Sequence, residues 1–157
     1  MESPSTVQST FVIERSYPKP PEKVFAAFSD PKKKRRWYAD SPATEVLTYD
    51  TDFRVDGIER LSSRMKEGTP VAGAVIEWRN CFMDIVPNQR IVISQSMDFR
   101  NKRVSVALVT IELLKTEKGT DLICTHHAAF FEGADGPQMR EMGWKSLFDR
   151  LGKELDS

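Results

Sequence analysis

The only imidazoles in the chain, His126 and His127, are adjacent. They fall in a run of β-branched and small apolar residues that reads as a strand, where neighbouring side chains leave opposite faces. One metal ion cannot easily take both, and no HxH or HxxxH spacing exists, so no metal site is expected. Leu122, Cys124, Ala128 and Phe130 share the parity of His126, which therefore points inward. There it is either an ordinary interior histidine or a group that bonds a ligand or accepts a proton. A second strand, Gln89–Phe99, puts Ile91, Ile93, Gln95, Met97 and Phe99 on one face. Gln95 is the polar exception there, either a ligand contact or a residue tied to backbone. Trp37, Trp78, Phe82, Met83, Met97, Phe99, Met139, Met142 and Trp144 read mostly as core, although such side chains also line adaptable apolar pockets.

Two nucleophile signatures are missing: there is no G-x-S-x-G and no cysteine with an activating neighbour. A Walker loop and a dinucleotide fingerprint are missing too, so no cofactor is expected. The two cysteines, Cys81 and Cys124, form no CxxC motif and read as small buried hydrophobes with reduced thiols. Lys32–Arg36 is a dense basic run. It reads as a solvated helix surface or as a contact for an acidic partner or anionic head group.

These residues need elements to position them. Thr10–Tyr17 reads as a strand after a frayed start over residues 1–9. Pro21 suits the first turn of a helix over Glu22–Ser29. Asp30 can cap a second short helix, with Pro31 in its first position. Six further strands follow: Thr44–Tyr49, Gly57–Met65, Ala74–Val86, Gln89–Phe99, Arg103–Lys115 and Thr120–Phe131. Their short connections force antiparallel neighbours, the clearest being the Glu117–Gly119 turn. Pro137–Leu155 is a helix with an apolar stripe of Trp144, Leu147, Phe148, Leu151 and Leu155; Arg140, Lys145, Asp149, Lys153 and Glu154 fall largely away from it. Gly143 interrupts that helix at a cost of about 1 kcal/mol, which close approach to a sheet or ligand would justify. The order predicts an α+β fold. A curved antiparallel sheet of about six or seven strands wraps a long C-terminal helix, with two short helices after the first strand.

The chain has 157 residues, with 39% hydrophobic and 29% charged, enough for one core and too few for two ordinary domains. Lys plus Arg and Asp plus Glu are both 23, which argues against a nucleic-acid binder. No stretch approaches the roughly 18 apolar residues of a membrane span. No signal peptide is visible, so a cytoplasmic location is expected.

Several local motifs, in order, resemble a known superfamily. Pro20-Pro21-Glu22-Lys23-Val24-Phe25 resembles its strand-to-helix passage, and Asp30-Pro31 with Arg36-Trp37 its second helix. Phe53-Arg54-Val55-Asp56-Gly57 resembles a basic turn that starts a strand. Ile85-Val86-Pro87-Asn88-Gln89-Arg90-Ile91-Val92 resembles its strand–Pro–strand hairpin. Val109–Glu112, Gly119–Leu122, Phe131-Glu132-Gly133, Gly143-Trp144 and Leu147–Leu151 resemble the last two strands and the approach to the final helix. Together, from Phe11 to Leu155, they resemble the START-like, helix-grip (SRPBCC) superfamily. Within it they are similar to proteins like the C-terminal domain of the heat-shock protein 90 ATPase activator. Relatives often carry Thr-Glu-Gln where this chain has Thr125-His126-His127, so a role for that glutamate does not transfer.

The resemblance implies one START-like domain over residues 10–157 with a cavity between sheet and final helix. It implies non-enzymatic binding of a small hydrophobic ligand, with Trp37, Gln95, Met97, Phe99, His126, Met139, Gly143 and Trp144 as candidate lining residues. A chaperone-cofactor role, stimulating a heat-shock protein 90 type ATPase in the stress response, is the alternative. A cyclase or hydrolase using His126 with a cavity carboxylate is a third reading. The fold hosts all three classes. A monomer or homodimer is expected.

Overall fold

The computed structural model describes residues 5–157. Strand β1 (Val7–Tyr17) leads to helix α1 (Pro21–Ser29) and helix α2 (Pro31–Lys34), which continues as one wide π turn over Arg35–Ala39. Six strands follow, β2 (Thr44–Thr51), β3 (Ile58–Met65), β4 (Val75–Val86), β5 (Arg90–Phe99), β6 (Lys102–Lys115) and β7 (Thr120–Phe130). Helix α3 (Pro137–Leu155) closes the chain. The strands form one antiparallel sheet in the order β1-β7-β6-β5-β4-β3-β2. The predicted α+β architecture is therefore present, with α3 spanning its expected range.

The expected frayed start needs correction. Val7, Gln8 and Ser9 already pair with Phe130, Ala129 and Ala128 of β7. Residues 1–4 of that segment lie outside the described residues.

Local rules explain most elements. Asp30 caps α2: its Oδ1 accepts from the backbone N–H groups of Lys32 and Lys33 at 2.9 and 3.4 Å. The β6–β7 turn needs Gly119, whose φ is 150° and where a Cβ would run into the Tyr17 carbonyl oxygen. Strand β7 alternates as expected, with Leu122, Cys124, His126, Ala128 and Phe130 buried. Strand β5 buries Ile91, Ile93, Gln95 and Met97. Phe99 shares that parity but is only half-buried at the end of the strand, beside a bulge that places the extra residue Val104 in β6 between the partners of Met97 and Asp98.

The core joins this face of the sheet to α1, the π turn and the stripe of α3. Trp37 sits inside it, its Nε1–H donating to the Ala27 carbonyl at 2.8 Å. The widened π turn brings three consecutive residues, Trp37, Tyr38 and Ala39, inward together. The tight glycine of α3 is not Gly143 but Gly152, where a Cβ would lie 3.3 Å from the Tyr17 ring. Nothing lies within 4 Å of a Cβ built on Gly143. The expectation that Gly143 approaches the sheet is thus corrected.

The cysteines differ. Cys124 is buried, and burial pushes its thiol up to about 12. Cys81 is half-buried, so the expectation of two buried thiols holds for Cys124 alone. A thiol reagent at neutral pH should label Cys81 in the native protein and reach Cys124 only in denaturant. Equal native labelling of both would contradict this packing.

Candidate functional site

A groove of about 370 Å³ opens between α3 and the β2–β5 end of the sheet. Leu61 of β3, Ile76 and Trp78 of β4, and Trp144 and Leu147 of α3 supply its apolar walls. Tyr38, Ser63, Gln95, Asp135 and Arg140 supply polar groups. A mostly apolar concavity with a few convergent polar groups is the usual form of a small-molecule site.

Of the eight candidate lining residues, Gln95, Met139, Gly143 and Trp144 border this groove. Met139 is 66% exposed, at its rim. Trp37, Met97, Phe99 and His126 do not border it. Trp37 is core, and Met97 lies beneath, its Sδ accepting from Arg140 Nη2 at 3.0 Å. Phe99 ends β5, with the Arg100 guanidinium 5.0 Å from its ring. His126 points inward as expected and is fully buried. Its ring stacks on Phe11 at 4.4 Å and meets Trp144 edge-on at 6.1 Å. Neither ring nitrogen has a partner. Burial, and secondarily the Arg140 charge, pull its pKa down to about 4, so it is neutral at pH 7.

Under the groove runs a polar network that the sequence reading missed. Lys34, within the supposed solvated run, is 2% exposed. Its Nζ donates to both carboxylate oxygens of Glu59 at 3.2 Å. The ammonium lies 4.4 to 6.0 Å from the rings of Tyr38, Trp37, Phe28 and Phe82. Glu59 also accepts from Tyr49 Oη at 2.7 Å and from Asn80 Nδ2 at 2.8 Å. Asn80 Nδ2 donates to Tyr38 Oη at 2.9 Å as well, and Asn80 Oδ1 accepts from Gln95 Nε2 at 3.0 Å. Burial first, then the Glu59 charge, push both tyrosines far above the ordinary phenol range, so both keep their protons.

Arg140 was expected to point away from the stripe, yet it is 3% exposed. Its Nε and Nη2 donate to Asp135 Oδ2 and Oδ1 at 2.9 and 2.8 Å. Nη2 also donates to Ser105 Oγ at 2.9 Å. The guanidinium lies 4.9 Å from the Trp78 ring and 5.1 Å from the Phe130 ring. A usable signal existed: Arg140 stands four residues before Trp144 and extends the stripe by one turn. Lys34 offered no comparable signal, because its partner lies on β3.

Among the described residues no group of His, Cys, Asp and Glu could hold a metal ion. No helix of the described residues is long and apolar enough to cross a membrane.

The chain is similar to several solved proteins over nearly its whole length. A protein from Rhizobium leguminosarum is 31% identical, with 97% of each chain covered and a TM-score of 0.89. The Mll3558 protein from Rhizobium loti is 41% identical, with 96% of this chain and 99% of that chain covered and a TM-score of 0.82. An AHSA1-like protein from Aeromonas hydrophila is 19% identical, with 94% and 92% covered and a TM-score of 0.68, a likeness of fold alone. No curated protein matches the chain. The family model of the Activator of Hsp90 ATPase homolog 1-like proteins matches residues 18–156. With that match and the grip of α3 on a seven-stranded sheet, the chain belongs to the Activator of Hsp90 ATPase homolog 1-like family.

Proposed function

We propose that this protein binds a small, largely apolar ligand in the groove between the sheet and α3, without catalysing a reaction, in the cytoplasm. The groove itself supports the reading most: two indoles, Trp78 and Trp144, face a volume of about 370 Å³. That is within the range of small-molecule pockets, roughly 300 to 1,000 Å³. No residue resembling a nucleophile borders it beside a base. His126 is fully buried, so an enzymatic use of it would need Trp144 to move.

Gly143 makes the reading testable. It borders the groove, and its Cβ position is open. Gly143→Ala should stabilise the protein by about 1 kcal/mol through helix propensity alone. Gly143→Leu should fold and bind an apolar fluorescent probe at least about tenfold more weakly, an effect of about 1.4 kcal/mol. Thermal melts and probe titration followed by Trp fluorescence read the two effects. Probe binding unchanged in Gly143→Leu would count against the groove. Native against denatured mass spectrometry of freshly purified protein would reveal a co-purified ligand.

The family match favours a second reading, a surface interaction that stimulates a heat-shock protein 90 type ATPase. Stimulated ATPase turnover that survives Gly143→Leu would separate that role from ligand binding.

A further inference from the structure

One charge on the wall of the groove is unmatched. Three charged residues border it, Asp135, Arg140 and Arg150. Asp135 and Arg140 offset each other in a two-point pair at 2.9 and 2.8 Å. Arg150 has no ion-pair partner among the described residues. The acidic side chains next to it on α3 are turned elsewhere. Asp149 pairs with Arg15 at 3.6 Å, and Glu154 gives both carboxylate oxygens to Arg36 at 2.7 and 2.9 Å. One carboxylate and two guanidiniums leave the groove lining with an unbalanced positive charge.

The Arg150 guanidinium is held in place. It follows Ser146 and Leu147 by one turn of α3, and both border the groove. Its Nε–H donates to the Trp37 carbonyl at 3.0 Å, on the chain just before Tyr38 and Ala39, which also border the groove. With Nε engaged, the fork is left presenting its Nη1 and Nη2 edge. Those groups have no hydrogen-bond partner and, unlike Arg140 Nη1, they are not sealed from solvent. Half-burial lowers the guanidinium pKa without removing the charge, a cost that no anion offsets.

The apolar walls call for an apolar body, and charge decides the head. A cation would meet Arg150 unpaired, and an uncharged head would leave the guanidinium unmatched. A carboxylate matches the Nη edge with two parallel N–H···O bonds. The Asp135–Arg140 pair lies ten residues back on α3, about 15 Å along its axis, so Asp135 does not oppose an anion at Arg150. Resting on the ligand-binding reading above, we infer that the ligand is an amphipathic carboxylic acid bound as its anion. Its carboxylate accepts from Arg150 Nη1 and Nη2, and its apolar chain lies against Trp144 and Trp78.

Three probes with one shared chain test this: octanoate, octan-1-ol and octylammonium, titrated calorimetrically at neutral pH. Octanoate should bind at least about tenfold tighter than octanol, as a charge-assisted pair provides, and octylammonium weakest of the three. Arg150→Met keeps the apolar stem and should remove the octanoate preference while octanol binding holds. Gly143→Leu should weaken octanoate and octanol alike. Equal affinities of octanoate and octanol in the unaltered protein would overturn the inference while leaving the groove a ligand site. Tightest binding of octylammonium would overturn it too. Persistence of the octanoate preference in a folded Arg150→Met would overturn the assignment to Arg150. Octanoate binding untouched by Gly143→Leu, with octanol binding lost, would place the acid outside the groove and overturn it as well. The order of the three probes and the Gly143→Leu result decide the matter even if Arg150→Met does not fold. Failure of all three probes to bind would instead defeat the ligand-binding reading on which this rests.

Discussion

Lys34→Met will destabilise the protein by about 3 to 5 kcal/mol, the range seen when one member of a buried ion pair is removed. The ammonium is enclosed by four aromatic rings and touches no other carboxylate than Glu59. Methionine keeps most of the volume, so the loss comes from a carboxylate stranded at 1% exposure. Tyr49 and Asn80 still donate to it, which should keep the loss within that range. The double variant Lys34→Met with Glu59→Leu should recover part of the loss, because no buried charge then remains unpaired. Urea unfolding of the two singles and the double measures this. A loss below about 1 kcal/mol for Lys34→Met, the level of an exposed pair, would show that the Lys34–Glu59 contact is not maintained in solution.

The second large effect is a loss of stability in acid. His126 has a folded pKa of about 4 against an ordinary 6.5, because burial disfavours its charged form. Above 6.5 the ring is neutral whether the chain is folded or unfolded, and it contributes no pH dependence. Between 6.5 and 4 the unfolded chain takes up the proton and the folded protein does not, so stability falls as pH falls. The full loss is about 3 kcal/mol by pH 4. The other charges acting on the ring are Arg140 and His127, which oppose its protonation, and Asp135, which favours it. The Arg36–Glu154 pair acts in the same direction but lower. Hydrogen bonding to Arg36 depresses the Glu154 pKa, so its contribution fades only as pH falls through and below the ordinary carboxylate range. His126→Phe keeps an aromatic ring against Phe11 and should flatten the curve between pH 6.5 and about 4.5. Parallel stability curves for the two proteins would rule out His126 as the source.

The elements and their inward faces were legible in the chain because they depend on short-range rules. Period-two alternation placed His126, Cys124 and Gln95 inside, and the i, i+4 stripe placed Trp144, Phe148, Leu151 and Leu155 against the sheet. Asp30-Pro31 announced a capped helix, and Gly119 a turn that other residues cannot make. The family resemblance was legible for the same reason, since it consists of such local signals in a fixed order.

The polar interior was not legible, because each of its bonds joins residues distant in sequence. Lys34 looked like one of five basic surface residues until Glu59 arrived on β3 and four rings closed around it. Arg140 looked polar and outward until Asp135, Ser105 and Met97 met its guanidinium. Bulges, at Met97/Asp98 and at Phe82/Asp84, shift strand register by one residue, and alternation alone does not announce them. Gly143 and Gly152 lie on one helix, yet only the placement of β1 makes the second the tight one and leaves the first open to the groove. Sequence periodicity specifies which side of an element faces inward. Which groups meet there depends on distances between elements that only the folded chain sets.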